Sequence, residues 1–298
     1  MISFYSHGKL LLTGEYTILK GANALAIPCK MGQTLNYRQT DEDILIWKSY
    51  NVNNLVWFEV KFKVGSLKLI STSDLGIWKS LLKILSATKE LNLSFLSQGG
   101  QVDTFLEFDR SWGLGSSSTL ISNIASWANI NPYRLLGKSF GGSGYDIACA
   151  QANRPLTYIR NNYTPNIEFV ELNYPFIENL FFVHLNKKKD SQKAVALFDL
   201  NKIGPTIINK INELTKLILN CNKQTDFNTY LKNHERILAS ILNQRTVQDV
   251  YFSNFKGSIK SLGAWGGDFI LVSGDKESPN YFKNLGFKTI IPFKEMVL

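Results

Sequence analysis

Cysteine is scarce in this 298-residue chain: Cys29, Cys149 and Cys221 lie far apart, and no Cys-x-x-Cys pair exists. So sparse and odd a set excludes a secreted disulfide framework and a zinc finger. Also missing is any uncharged apolar run approaching the ~20 residues that a membrane helix needs. Met1 to Leu12 has His7 and Lys9 among its apolar residues, so it lacks the unbroken core of a signal peptide. A soluble, reduced, cytoplasmic protein with no membrane association is the expectation. There is no internal repeat, no low-complexity tract and no clustered basic block. Thirty-three Lys+Arg against 24 Asp+Glu leave a formal charge of +9, which suits an anionic partner. A phosphorylated metabolite satisfies that balance as well as nucleic acid does. What is present, 44% hydrophobic and 19% charged residues, is the composition of a globular chain with a sizeable core. The length allows one large domain or two modest ones.

The first third reads as strands. Residues 3–5, 9–13, 24–35, 43–47, 56–62 and 102–108 are rich in β-branched and aromatic residues, and Phe58, Val60 and Phe62 alternate with Glu59 and Lys61. Ser73-Asp74 is a cap signal for a helix to about Leu91, with Leu75, Trp78, Leu82 and Leu85 on one face. Asn131-Pro132 reads as a cap followed by a first-turn proline. Residues 203–221 place Ile203, Ile207, Ile211, Leu214 and Ile218 on one helical stripe, and 230–242 reads as a second helix. Further strands are expected over 180–185, 269–272 and 289–291. Strands thus dominate the first half and helices the second. This predicts an α+β chain of two lobes, 1–172 and 173–298.

Glycine-rich turns that open helices are the most informative feature. Consecutive backbone N–H groups at a helix N-terminus form a concave anion site, aided by the helix dipole. Gly113, Leu114, Gly115, Ser116, Ser117, Ser118 and Thr119 have that form, with hydroxyls for phosphate oxygens or a magnesium ion. The segment is neither a Walker A loop nor a dinucleotide fingerprint. A second glycine turn, Gly141-Gly142-Ser143-Gly144, leads to Asp146 in the first turn of an apolar helix, a setting that suits a general base. A third, Gly263 to Asp268, precedes a strand and suits close approach of backbone to a ligand.

Three elements in this order resemble the GHMP kinase family, the small-molecule kinases named for galactose, homoserine, mevalonate and phosphomevalonate. Ser6-His7-Gly8-Lys9 through Gly14-Glu15-Tyr16 is similar to the first family motif, Arg110 to Thr119 to the Gly-Leu-Gly-Ser-Ser phosphate loop, and Leu262 to Asp268 to the third motif. Lys138 to Ala148, with Gly144-Tyr145-Asp146-Ile147-Ala148, looks most like the phosphomevalonate kinase pattern. A mevalonate diphosphate decarboxylase fits less well, because those enzymes lack the lysine of motif one. Two departures stand out. His7 replaces a proline, and Trp265 stands where motif three has glycine.

The resemblance implies a ribosomal-protein-like N-terminal lobe and a ferredoxin-like C-terminal lobe. It implies MgATP and a small anionic metabolite of the mevalonate pathway as partners, with phosphoryl transfer as the reaction. Lys9 and Asp146 would be catalytic. Gly113 to Thr119 would hold the triphosphate, and the metal would lean on Ser117 and the nucleotide's own phosphates, with Asp109 a weaker option. Glu15, Gly142, Ser143, Gly144, Lys188, Ser191, Gly266 and Gly267 would face the substrate. A homodimer is compatible with this reading. The rival is a non-catalytic binder of nucleotide or RNA on the same fold; the missing basic stripe with interleaved aromatics counts against RNA.

Overall fold

Alternating side chains in the first hundred residues do build a sheet, and its register shows why. The computed structural model describes residues 1–187, 194, 197–263 and 265–298. Its strands are β1 (Ile2–Leu11), β2 (Ala24–Gln39), β3 (Ile44–Tyr50), β4 (Val56–Lys63), β5 (Lys68–Thr72), β6 (Gly100–Leu106), β7 (Leu156–Ile159), β8 (Asn166–Phe169), β9 (Leu180–His184), β10 (Ser258–Ser261), β11 (Phe269–Ser273) and β12 (Ile290–Pro292). The α-helices are α1 (Leu75–Leu91), α2 (Ser116–Trp127), α3 (Pro132–Ser139), α4 (Tyr145–Gln151), α5 (Pro205–Leu219), α6 (Gln224–Leu242), α7 (Val247–Tyr251), α8 (Ser278–Asn284) and α9 (Phe293–Met296). The α+β class is as expected.

Two compact units emerge, and the chain crosses between them repeatedly. The first takes Met1–Gly8, Met31–Arg110 and Leu114–Gln151; the second takes Lys9–Lys30, Ser111–Gly113 and Ala152–Leu298. In the first, the strands lie in the order β5-β4-β3-β6-β2, with β3 and β6 parallel and the other pairs antiparallel. Pairing Trp47 with Val60 and Leu45 with Phe62 puts the large side chains of β3 and β4 on one face. There they meet Trp78, Leu81 and Leu85 of α1 and Ile121 and Ile124 of α2. The buried face of α1 is therefore Trp78, Leu81, Ile84, Leu85 and Thr88, while Leu75 lies exposed in the first turn. The expectation that Leu75 belongs to that face is corrected accordingly, while Leu82 is half-buried and packs against the same core.

The second unit carries an antiparallel sheet in the order β10-β11-β9-β12. Every residue of β9 and β11 is buried, which matches their unbroken apolar sequence. Helix α6 packs on β10, and the α5 stripe buries Ile211, Leu214 and Ile218 as the sequence predicts. The first residues of β2 pair here with β7, and β7 with β8. Cys29, Cys149 and Cys221 are buried free thiols. Among the described residues, no helix is long and apolar enough to cross a membrane.

Both predicted caps form. Asn131 accepts from Tyr133 N and Arg134 N with Pro132 at the first helical position, and Asp74 accepts from Gly76 N and Ile77 N at 2.7 and 3.0 Å. Losing a cap of this kind costs about 1 kcal/mol. Asp74→Ala should therefore lower the unfolding free energy by that much, read from urea titration, whereas Ser73→Ala, one residue before the cap, should cost less.

Candidate active site

The turn after β1 is built around Gly14. Its φ is +92°, and a Cβ there would lie 2.7 Å from Ala24 Cβ, so only glycine fits. Gly14 N donates to His234 Nε2 at 3.1 Å, and Thr13 Oγ1 lies 2.8 Å from Thr215 Oγ1. Helices α5 and α6 thus staple this turn from two sides. Lys9, on β1, is half-buried, and burial pushes the nearby Cys29 thiol up to about 12, a rise that the Lys9 charge opposes.

Glu15 is 2% exposed and turned into the protein. Its Oε1 accepts from Lys260 Nζ at 2.5 Å, and the same ammonium reaches Glu235 Oε1 at 3.1 Å. One buried cation therefore faces two buried carboxylates. Burial, incompletely offset by Lys260, raises Glu15 to about 7, and it raises Glu235 as well. Burial alone would pull Lys260 down, but the two carboxylates outweigh it and leave it above its usual value. His234 lies well below its usual range, first because it is buried and second because Lys260 is near. That agrees with its hydrogen bond, since an Nε2 that accepts from Gly14 N must carry no proton. Glu15 thus has a partner inside the protein, and the expectation that it faces substrate gives way to a structural role. The sequence offered no sign of this cluster, because nothing near Lys260 in the chain names Glu15 as its partner.

Helix α2 begins without a side-chain cap. Gly115 occupies the N-cap with φ +88° and, as a glycine, offers no side chain to cap the first turn. Ser116 is half-buried and Ser117 exposed. Three other predicted loop residues point inward. Leu114 is fully buried, Ser118 Oγ donates to Gly115 O at 3.1 Å, and Thr119 Oγ1 donates to Gln33 Oε1 at 2.6 Å. Asn123, also on α2, donates to Gln33 O and accepts from Ser6 Oγ, so a buried polar chain anchors this helix to β1 and β2. The part of the expected loop that is not buried is Gly113, Gly115, Ser116 and Ser117.

Asp146 sits half-exposed in the first turn of α4, and its Oδ1 accepts from Ile147 N at 3.2 Å. Gly141, Gly142 and Gly144 before it all have positive φ, and Gly142 is exposed. Ser143 is half-buried. In the third glycine turn Gly266 is half-buried and Gly267 buried. Lys188 and Ser191 lie outside the described residues. Among the described residues, no group of three or more His, Cys, Asp or Glu could hold a metal ion.

Comparison with known proteins gives the same direction. The chain is 24% identical over 295 residues to a mevalonate kinase of Methanocaldococcus jannaschii, covering 90% of this chain and 91% of that protein. A crystal structure of the Methanococcus jannaschii mevalonate kinase superposes with a TM-score of 0.69 at 19% identity, over 97% of this chain and 96% of the other. The Streptococcus pneumoniae phosphomevalonate kinase in complex with phosphomevalonate and AMPPNP gives 0.70 at 17% identity, over 95% of each. No family model matches. This is the GHMP kinase fold. The fold that the three short motifs imply therefore extends over nearly the whole chain.

Proposed function

We propose that this GHMP-fold chain is an ATP-dependent phosphotransferase acting on a small anionic metabolite of the mevalonate pathway, phosphomevalonate or mevalonate. The observation that carries the proposal is the start of α2, where a left-handed glycine stands at the N-cap in place of a capping side chain, the form in which a helix N-terminus receives an anion. Gly115, Ser116 and Ser117 would hold the triphosphate there. Magnesium would enter with the nucleotide, held by its phosphates and the Ser117 hydroxyl, which fits the lack of an acidic cluster among the described residues. When bound, that ion would offset phosphate charge.

Asp146 would accept or orient the proton of the acceptor's hydroxyl or phosphate oxygen. Lys9 would offset charge that builds up during transfer. Phosphoryl transfer is mostly positioning and charge compensation, so glycines, hydroxyls, one ammonium and one carboxylate suffice. Gly142, Ser143, Gly144, Gly266 and Gly267 would lie along the acceptor, where glycine lets backbone approach closely. Such an enzyme would work in the reduced cytoplasm, consistent with three buried free thiols.

An ATP-consumption screen over mevalonate, phosphomevalonate, homoserine and galactose tests this directly. Turnover is expected with one of the first two. No turnover with any of the four, together with steeply salt-dependent RNA binding, would instead favour the non-catalytic reading.

A further inference from the structure

The third glycine turn is not held as a run of glycines. Two of its residues, Trp265 and Asp268, have side chains yet adopt left-handed backbone, with φ of 57° and 52°. Such a conformation is strained for both residue types, and most of all for a bulky one. Something must hold each in place, and both partners belong to the other glycine motifs.

Trp265 is 4% exposed. Its ring shares one buried cluster with Tyr16, Ile203, Leu238 and Ile241, and its Nε1 donates to Arg245 O at 3.3 Å. Tyr16 directly follows the Gly14-Glu15 turn and is itself left-handed at φ 60°. The bulky residue in a glycine position therefore runs inward to the cluster at the base of motif one. Asp268 is 6% exposed, and its main chain is tied to β9 and the residues after it, through Leu185 N to Asp268 O and Asp268 N to Lys187 O. Its carboxylate lies against the backbone of Gly113: a Cβ on Gly113 would be 2.4 Å from Asp268 Cγ and Oδ2.

We infer that Trp265 and Asp268 are positioning residues that clamp the third glycine turn to Tyr16 on one side and Gly113 on the other, fixing the entrance of the phosphate loop. The clamp rests on the proposed nucleotide site for its effect on catalysis, but not for its existence. It also explains why this chain tolerates Trp265. Burying the ring in the cluster that holds Tyr16 gives the turn a brace that a glycine cannot supply.

The test separates the two levels. Hydrogen exchange on the full chain without ligand reads the clamp itself; MgATP binding and steady-state kinetics read its use. Gly113→Ala should collide with Asp268 and speed exchange over 111–119. It should also raise the KM for ATP about tenfold, while the KM for the acceptor stays within about twofold, since misplacement by an ångström is costly. Adding Asp268→Gly should clear the collision and restore the share of both effects that the positive φ of Gly113 does not itself cause. Trp265→Gly should speed exchange over 14–18 and 263–268, and Trp265→Phe should hold them near the parent. The clamp is overturned if Gly113→Ala leaves exchange unchanged, if the double variant is no better than Gly113→Ala, or if a folded Trp265→Gly matches the parent. Should Trp265→Gly fail to fold, the Gly113 and Asp268 pair decides alone. A parent protein that binds no ATP removes the proposed function, and the exchange data still decide the clamp.

Discussion

Replacing Lys260 by methionine should destabilise this protein by about 3–5 kcal/mol, the usual effect of removing one partner from a buried ion pair. Methionine matches the length of the lysine stem, so the cost is electrostatic and not a cavity. The substitution leaves Glu15 and Glu235 facing each other, each 2–3% exposed, with no cation between them. It also removes the bond from Lys260 Nζ to Ser261 O at 2.9 Å. Glu235→Gln should behave differently. It removes the carboxylate in excess of the single ammonium while keeping an acceptor, so it should change stability by no more than about 1 kcal/mol. Urea midpoints of both variants check this pair of expectations, and a Lys260→Met protein as stable as the parent would dismiss the cluster as an energetic element.

The same cluster fixes a pH dependence. The folded pKa of Glu15, about 7, is above its ordinary 4.5, so its contribution to stability is fully present below pH 4.5 and is lost as pH rises through 7. Glu235 acts in the same direction. The folded pKa of His234 is below its ordinary 6.5, so its contribution is present above 6.5 and is lost as pH falls. Between 4.5 and 6.5 the slopes of Glu15 and His234 oppose each other. His234→Gln keeps an acceptor for Gly14 N but removes one slope. Its stability should therefore decline more steeply than the parent's from pH 4.5 to 7, by up to about 1 kcal/mol per pH unit.

How much of this was legible in the sequence depended on how local the cause was. Asp74 and Asn131 announce their helices because a cap acts over three residues, and the glycine motifs are visible for the same reason. Strand β10, Ser-Ile-Lys-Ser, was not legible, because its buried lysine makes sense only beside Glu15 and Glu235, 245 and 25 positions away. Strands β5, β7 and β8, of five, four and four residues, are too short to show a period. That Lys9–Lys30 packs with the far end of the chain was not legible either, because pairing partners and not composition set it. The direction of the Trp265 ring was hidden too, since nothing near it in sequence names Tyr16 as its neighbour.

Asp146→Asn should abolish most turnover while sparing nucleotide binding. A positioned general base contributes about 10²–10⁴-fold, and a carboxamide has no basic oxygen to offer, so kcat should fall within that range. The fold should survive, because an asparagine Oδ1 can still accept from Ile147 N as the carboxylate does at 3.2 Å. MgATP affinity should stay within about twofold, since Asp146 belongs to α4 and the proposed phosphate contacts belong to the start of α2. Lys9→Met should differ in kind. It removes charge compensation in the transition state, so kcat and kcat/KM for ATP should fall together, with little rescue by raising pH. Full activity in Asp146→Asn would remove this carboxylate from the scheme and leave the α2 amides standing as a nucleotide site in search of another base. Loss of MgATP affinity along with turnover would instead mean that Asp146 contributes to holding the nucleotide, and its assignment would move from proton acceptor to metal or phosphate contact.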